Sequence, residues 1–160
     1  MIRVTLITVG KIKESYFREA IAEYSKRLQS YCRLQIVEVA DEKTPDGASA
    51  AEEERILLAE GERILSKIPQ GAYVISLEIE GKKMDSMQLA RLIEQKSVQG
   101  ESHLVFMIGG SLGLSKKVKS KADLALSFSD MTFPHQLMRV ILLEQIYRAF
   151  RIIAKEPYHK

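Results

Sequence analysis

At 160 residues, with 46% apolar and 28% charged side chains, the chain has the size and composition of one soluble globular domain spanning 1–160. No apolar run nears the roughly 20 residues that cross a bilayer, and the opening MIRVTLITVG reads as a strand without a small-residue cleavage site, so a cytoplasmic protein is expected. The single cysteine, Cys32, cannot make an internal disulfide and is expected to be a small half-buried hydrophobe, while a net charge of +3 does not by itself announce a nucleic-acid binder.

In chain order, Ile2 to Val9 alternates as a strand and closes in a turn at Gly10-Lys11. Glu14 to Leu28 carries Tyr16, Phe17, Ala20, Ile21, Tyr24 and Leu28 at helical spacing, and Leu34 to Val39 is a second strand. Pro45 and Asp46-Gly47 make Asp41 to Ala48 the most loop-like stretch and the segment expected to move most. A helix begins at about Ser49, with Glu52 placed to complete a capping box, and runs to Lys67 before Pro69 and Gly71. Tyr73 to Glu80 is the third strand. Asp85 or Ser86 caps the next helix, which carries Leu89, Leu92 and Ile93 and ends at Gln99-Gly100.

Leu104 to Ile108 is apolar without alternation, the pattern of a strand covered on both faces, and it stops at the cluster Gly109-Gly110-Ser111-Leu112-Gly113. A short strand, Leu124 to Phe128, ends in the turn Ser129 to Phe133. Pro134 suits a first helical position, and the helix it opens extends to Ile153. Val140 to Leu143 are all apolar and span every side of that helix, so it is expected to pack on its own sheet with one side and on another protein surface with the other. A symmetric homodimer supplies that surface. Strands alternating with helices predict an α/β fold, with a parallel-rich sheet and helices on both faces.

Two strand ends opening onto polar turns beside glycine make a crevice where a ligand is expected in an open α/β sheet. The glycines serve either close backbone approach to a ligand or an ordinary tight turn. They form GGxxG rather than GxGxxG, no P-loop occurs, and His103, His135 and His159 are scattered, so no metal is expected. Charge is uneven along the chain: residues 1–33 carry seven Lys or Arg against three Glu, and Lys116, Lys117, Lys119 and Lys121 have only Asp123 nearby. Residues 38–62 hold nine acidic side chains against two basic ones. One basic face could thus meet a phosphate backbone while the acidic segment points elsewhere; solvated surface explains any single run equally well.

The succession GGSLGLS, SFSDMTFPHQLMRVILLEQIYRAF and a terminal PYHK closely resembles the RlmH family of SPOUT methyltransferases, over essentially the whole chain. That resemblance implies a SPOUT-like α/β knot, in which the C-terminal segment threads an earlier loop as a trefoil. It also implies a homodimer that uses S-adenosyl-L-methionine, without a metal, to methylate N3 of a pseudouridine in 23S rRNA, within the large subunit or whole ribosome. The expected cofactor contacts are Leu77, Gly109, Phe128, Ser129, Asp130, Met131, Thr132 and Phe133. N3 carries a proton that must leave, so His135, Arg139, Tyr158 and His159 are the candidates for orienting the base or easing deprotonation, and Arg148, in the YRAF motif, is expected to contact RNA or the active site. The tail after Pro157 is expected to be floppy in a monomer and ordered against a partner subunit. The competing readings are a Rossmann-like nucleotide-binding enzyme and a non-catalytic RNA-binding or ribosome-assembly protein.

Overall fold

The computed structural model describes residues 1–160. Five strands, β1 (Arg3–Val9), β2 (Arg33–Val39), β3 (Tyr73–Lys83), β4 (His103–Ile108) and β5 (Leu124–Ser127), form one parallel sheet in the order β2-β1-β4-β3-β5. The helices are α1 (Ser15–Leu28), α2 (Ala50–Leu65), α3 (Ser86–Val98), α4 (Lys116–Lys121) and α5 (His135–Ile153). The central strand explains the layering. Leu104, Phe106 and Ile108 of β4 join a core with Leu28, Ile93, Leu142, Ile146 and Phe150 on the α1/α3/α5 side. Val105 and Met107 point the other way, into a core with Ile64 of α2 and Val118 of α4. An unbroken apolar strand is what two covered faces require.

Local signals set the helix starts. Ser49 and Asp85 both build complete capping boxes, with Glu52 and Gln88 respectively. Pro134 is the N-cap of α5 rather than its first helical residue, with extended ψ. Its missing N–H still costs nothing there, because the N-cap donor takes no part in the helix.

Several sequence-based expectations need correction. Helix α4 was not anticipated, and it does not leave its lysines facing only Asp123: Lys117 pairs with Glu62 at 2.7 Å, and Lys119 Nζ lies 3.8 Å from Glu78. The basic run and the acidic segment therefore meet, because α4 packs on α2. Cys32 is fully buried rather than half-buried, and burial pushes its thiol up to about 12. Part of the apolar surface of α5 assigned to a partner is covered by α1 and α3, although Leu137, Val140, Ile141 and Ile152 stay half-buried.

Strand β3 is longer than the pattern suggested and is not regular. Leu77 and Lys82 both lie opposite Leu126, so residues 78–81 loop out of the ladder. At the end of that loop a Cβ on Gly81 would sit 2.7 Å from the carbonyl carbon of Ala125, so only glycine lets β5 cross so closely.

Candidate active site

Because all five strands are parallel, their carboxyl ends lie at one edge, and a cavity of about 690 Å³ opens there between β3, β4 and β5. The middle of β3 gives Leu77 and the looped-out segment Glu78 and Ile79; the end of β4 gives Ile108 and the turn after it Gly109 to Gly113. Leu126, Phe128, Ser129, Met131, Thr132 and Phe133 close the far wall, and the start of α5 adds Pro134, His135, Gln136 and Met138. Behind Phe128 and Phe133 a second cavity of about 370 Å³ runs between α3 and α5.

The glycine cluster is a tight turn, and it also walls the cavity. Gly113 N–H donates to Gly110 O at 3.0 Å with Gly113 at φ +82°, and a Cβ on Gly109 would overlap the Gly113 carbonyl. Glycine is thus demanded at 109 by the turn's own backbone. In the turn after β5, Ser129 Oγ accepts from the Met131 N–H at 3.0 Å, and Ser127 Oγ donates to Ser129 O at 3.2 Å. Seven of the eight expected cofactor residues line this space; Asp130 does not, its exposed side chain turning to Lys83.

The five candidate catalytic residues fall into three places. His135 lines the cavity, and burial, then the neighbouring Arg139, lowers its pKa from 6.5, with Asp41 opposing. Arg139 faces away. It is 2% exposed, with one amino group donating to Glu38 at 2.7 Å and the other to the carbonyl oxygens of Val9 and Gly10, both at 2.8 Å. These bonds tie the start of α5 to the ends of β1 and β2, while the buried Nε has no partner within the chain.

Arg148, Tyr158 and His159 come together at the other end of α5. The Arg148 guanidinium lies 4.8 Å from the centre of the Tyr158 ring, 3.1 Å from His159 Nδ1 and 2.7 Å from Glu144. Tyr158 stacks edge-on against Tyr147 at 5.0 Å, and burial, then Glu144, raises its pKa. The tail is not floppy in the single chain. Lys155 adopts φ 57°, turning the chain back, and Arg151 holds Glu156 at 2.7 Å and Pro157 O at 2.9 Å, while Tyr31 donates to Glu156. Thirteen residues of helix separate His135 from Arg148, about 20 Å of rise.

Residues 2–159 match the family model described as "Predicted SPOUT methyltransferase". The chain belongs to the SPOUT methyltransferase family. It is 62% identical over 158 residues to the ribosomal RNA large subunit methyltransferase H of Bifidobacterium adolescentis, covering 99% of each chain. The proteins of the same name from Carboxydothermus hydrogenoformans and Acetivibrio thermocellus are 56% and 52% identical, over 98% and 99% of this chain and 99% of each of theirs. Among solved structures, a probable methylase family protein from Haemophilus influenzae Rd KW20 shares the fold with a TM-score of 0.54 at 15% identity, covering 99% of this chain and 70% of that one. The chain is therefore a methyltransferase, and the Rossmann-like and non-catalytic readings give way. Sequence reasoning missed Glu78 and Gln136 as cavity residues; an acidic residue directly after the apolar half of β3 was the available signal for Glu78.

Proposed function

We propose that this SPOUT methyltransferase uses S-adenosylmethionine to methylate N3 of a pseudouridine in 23S rRNA, acting as a homodimer on the large subunit or assembled ribosome and hence in the cytoplasm. The observation that carries the donor site is the cavity itself, whose size lies within the range of small-molecule sites. Its walls fit such a group: Leu77, Phe128 and Phe133 offer apolar surface, and two backbone turns offer N–H and C=O groups. The relatives' shared name supports ribosomal RNA as the acceptor. The doubling of β3 around Leu126 and the close crossing at Gly81 support a threaded C-terminal segment.

When bound, the donor supplies an electrophilic methyl carbon on a sulfonium, and its transfer to N3 leaves a neutral thioether while the N3 proton departs. His135, in the cavity wall and with a lowered pKa, is the group that takes this proton, since it is neutral at physiological pH. Leu77, Phe128 and Phe133 keep water from the transfer. Arg139 acts through position, holding the first turns of α5 against β1.

Arg148, Tyr158 and His159 orient the acceptor base by stacking and charge, and they do so from the second subunit. Ten residues of helix, about 15 Å of rise, separate Arg148 from Met138, the last α5 residue in the cavity wall of its own chain, more than an arginine side chain spans. Four of the seven large apolar side chains that remain exposed, Tyr16, Ile79, Met87 and Met131, lie at the edge where the cavity opens, as a surface covered by a partner would. Ribosomes lacking the modification, incubated with radiolabelled donor and mapped by mass spectrometry, test the reading. Label on N3 of one pseudouridine is expected; donor binding without transfer to ribosomes overturns it.

A further inference from the structure

Among the 19 residues lining the cavity, Glu78 is the only one of Asp, Glu, Lys or Arg type. Its placement is built. The side chain is 16% exposed, the fully buried Ser76 donates its hydroxyl to Oε2, and Oε1 meets Lys119 Nζ at 3.8 Å. The loop that carries it is fixed at both ends against Leu126 and pressed onto β5 at Gly81. A carboxylate this little exposed, on a residue of a wall that also holds Leu77, Leu112 and Phe128, is costly unless a cation compensates. Lys119 does so only in part, because its own side chain is 46% exposed and the pair is long.

We infer that Glu78 makes the cavity selective for positive charge, so that the sulfonium donor is held more tightly than the neutral thioether it becomes. This rests on the cavity being the donor site. Both molecules keep the ammonium and carboxylate of the amino-acid end, whose fields nearly cancel at a distance. The sulfonium charge is the difference left for Glu78 to act on, and the low exposure of the Glu78 side chain keeps that difference from being fully screened. Loss of this attraction on transfer also favours exchange of spent donor for fresh.

The test is calorimetric titration of the full chain with S-adenosylmethionine, S-adenosylhomocysteine and sinefungin, which keeps a cationic amine in place of the sulfonium. In the unaltered protein both cationic ligands bind more tightly than the thioether. Glu78→Gln lowers that preference about tenfold, for donor and sinefungin alike, whereas Glu78→Asp keeps most of it. Lys119→Met, at an exposed position that folding tolerates, moves the preference the opposite way, raising it about threefold. Equal weakening of all three ligands in Glu78→Gln, no weakening of any, or an unchanged preference in Lys119→Met overturns the inference. An unaltered protein that binds none of the three overturns the donor-site reading itself.

Discussion

The two ends of α5 present opposite kinds of surface. At the His135 end the walls are backbone turns and apolar side chains, with one carboxylate among them. At the Ile153 end the surface is made of side chains: Tyr24, Tyr31, Tyr147 and Tyr158 pack on one another, and Arg27, Arg148 and Arg151 lie over their rings at 4.8 to 5.9 Å. Backbone turns suit a ligand of fixed shape. Aromatic rings with guanidinium groups suit an unstacked base and its phosphates. A methyltransferase acting on RNA needs both, and under the proposed function this chain sets them at opposite ends of one helix.

The contrast can be broken first by deleting Tyr158 to Lys160. Methyl transfer to ribosomes should fall by at least about 100-fold, while the donor dissociation constant stays within about twofold. Loss of donor binding in the truncated chain would mean that the two ends are not separate in function.

Replacing Arg139 by Leu removes the tie between α5 and β1 and leaves Glu38 and the Val9 and Gly10 carbonyl oxygens without their donor. Denaturant unfolding should show a loss of about 2–3 kcal/mol, below the figure for a fully buried pair because Glu38 is 39% exposed. If Arg139 instead acts on the substrate, transfer falls with stability unchanged.

Gly109→Ala forces a methyl group into the Gly113 carbonyl and should cost about 1–3 kcal/mol, with weaker donor binding and no effect on the packing of Tyr158 seen by fluorescence.

The smallest effect sharpens the role of His135. Its folded pKa is lowered from 6.5, so the unfolded chain binds the proton more readily. The stabilisation is complete above about pH 6.5 and is lost as pH falls through the folded value. His103 is lowered in the same sense, by burial and Arg3. His135→Gln should therefore flatten, without abolishing, the decline of the thermal midpoint between neutral and mildly acid pH, and an unchanged slope would remove the buried neutral imidazole from the account.

Much of the architecture was legible because periodicity reports burial. The uniform run Leu104 to Ile108 gave a strand covered on two faces, and Ser49 with Glu52 gave a helix start. What escaped was set by contacts between segments distant in sequence. Nothing local says that Leu77 and Lys82 share one partner, that Lys117 meets Glu62, or that Arg139 spends its donors on β1. His135 and Arg139, four apart, looked like one functional face, yet one lines the cavity and the other supports it from behind. The tail looks loose in sequence because proline and short length say nothing of Arg151, which holds it from the preceding helix.

The most direct test of a site shared between two chains is complementation. A chain lacking Tyr158 to Lys160 keeps its cavity, and a Leu112→Arg chain, whose cavity wall carries an added cation, keeps its tail. Each alone should be inactive. Unfolded and refolded together, they should recover about a quarter of normal methyl transfer, since half the dimers are mixed and each mixed dimer holds one intact site. No recovery in demonstrably mixed dimers would contradict the shared site.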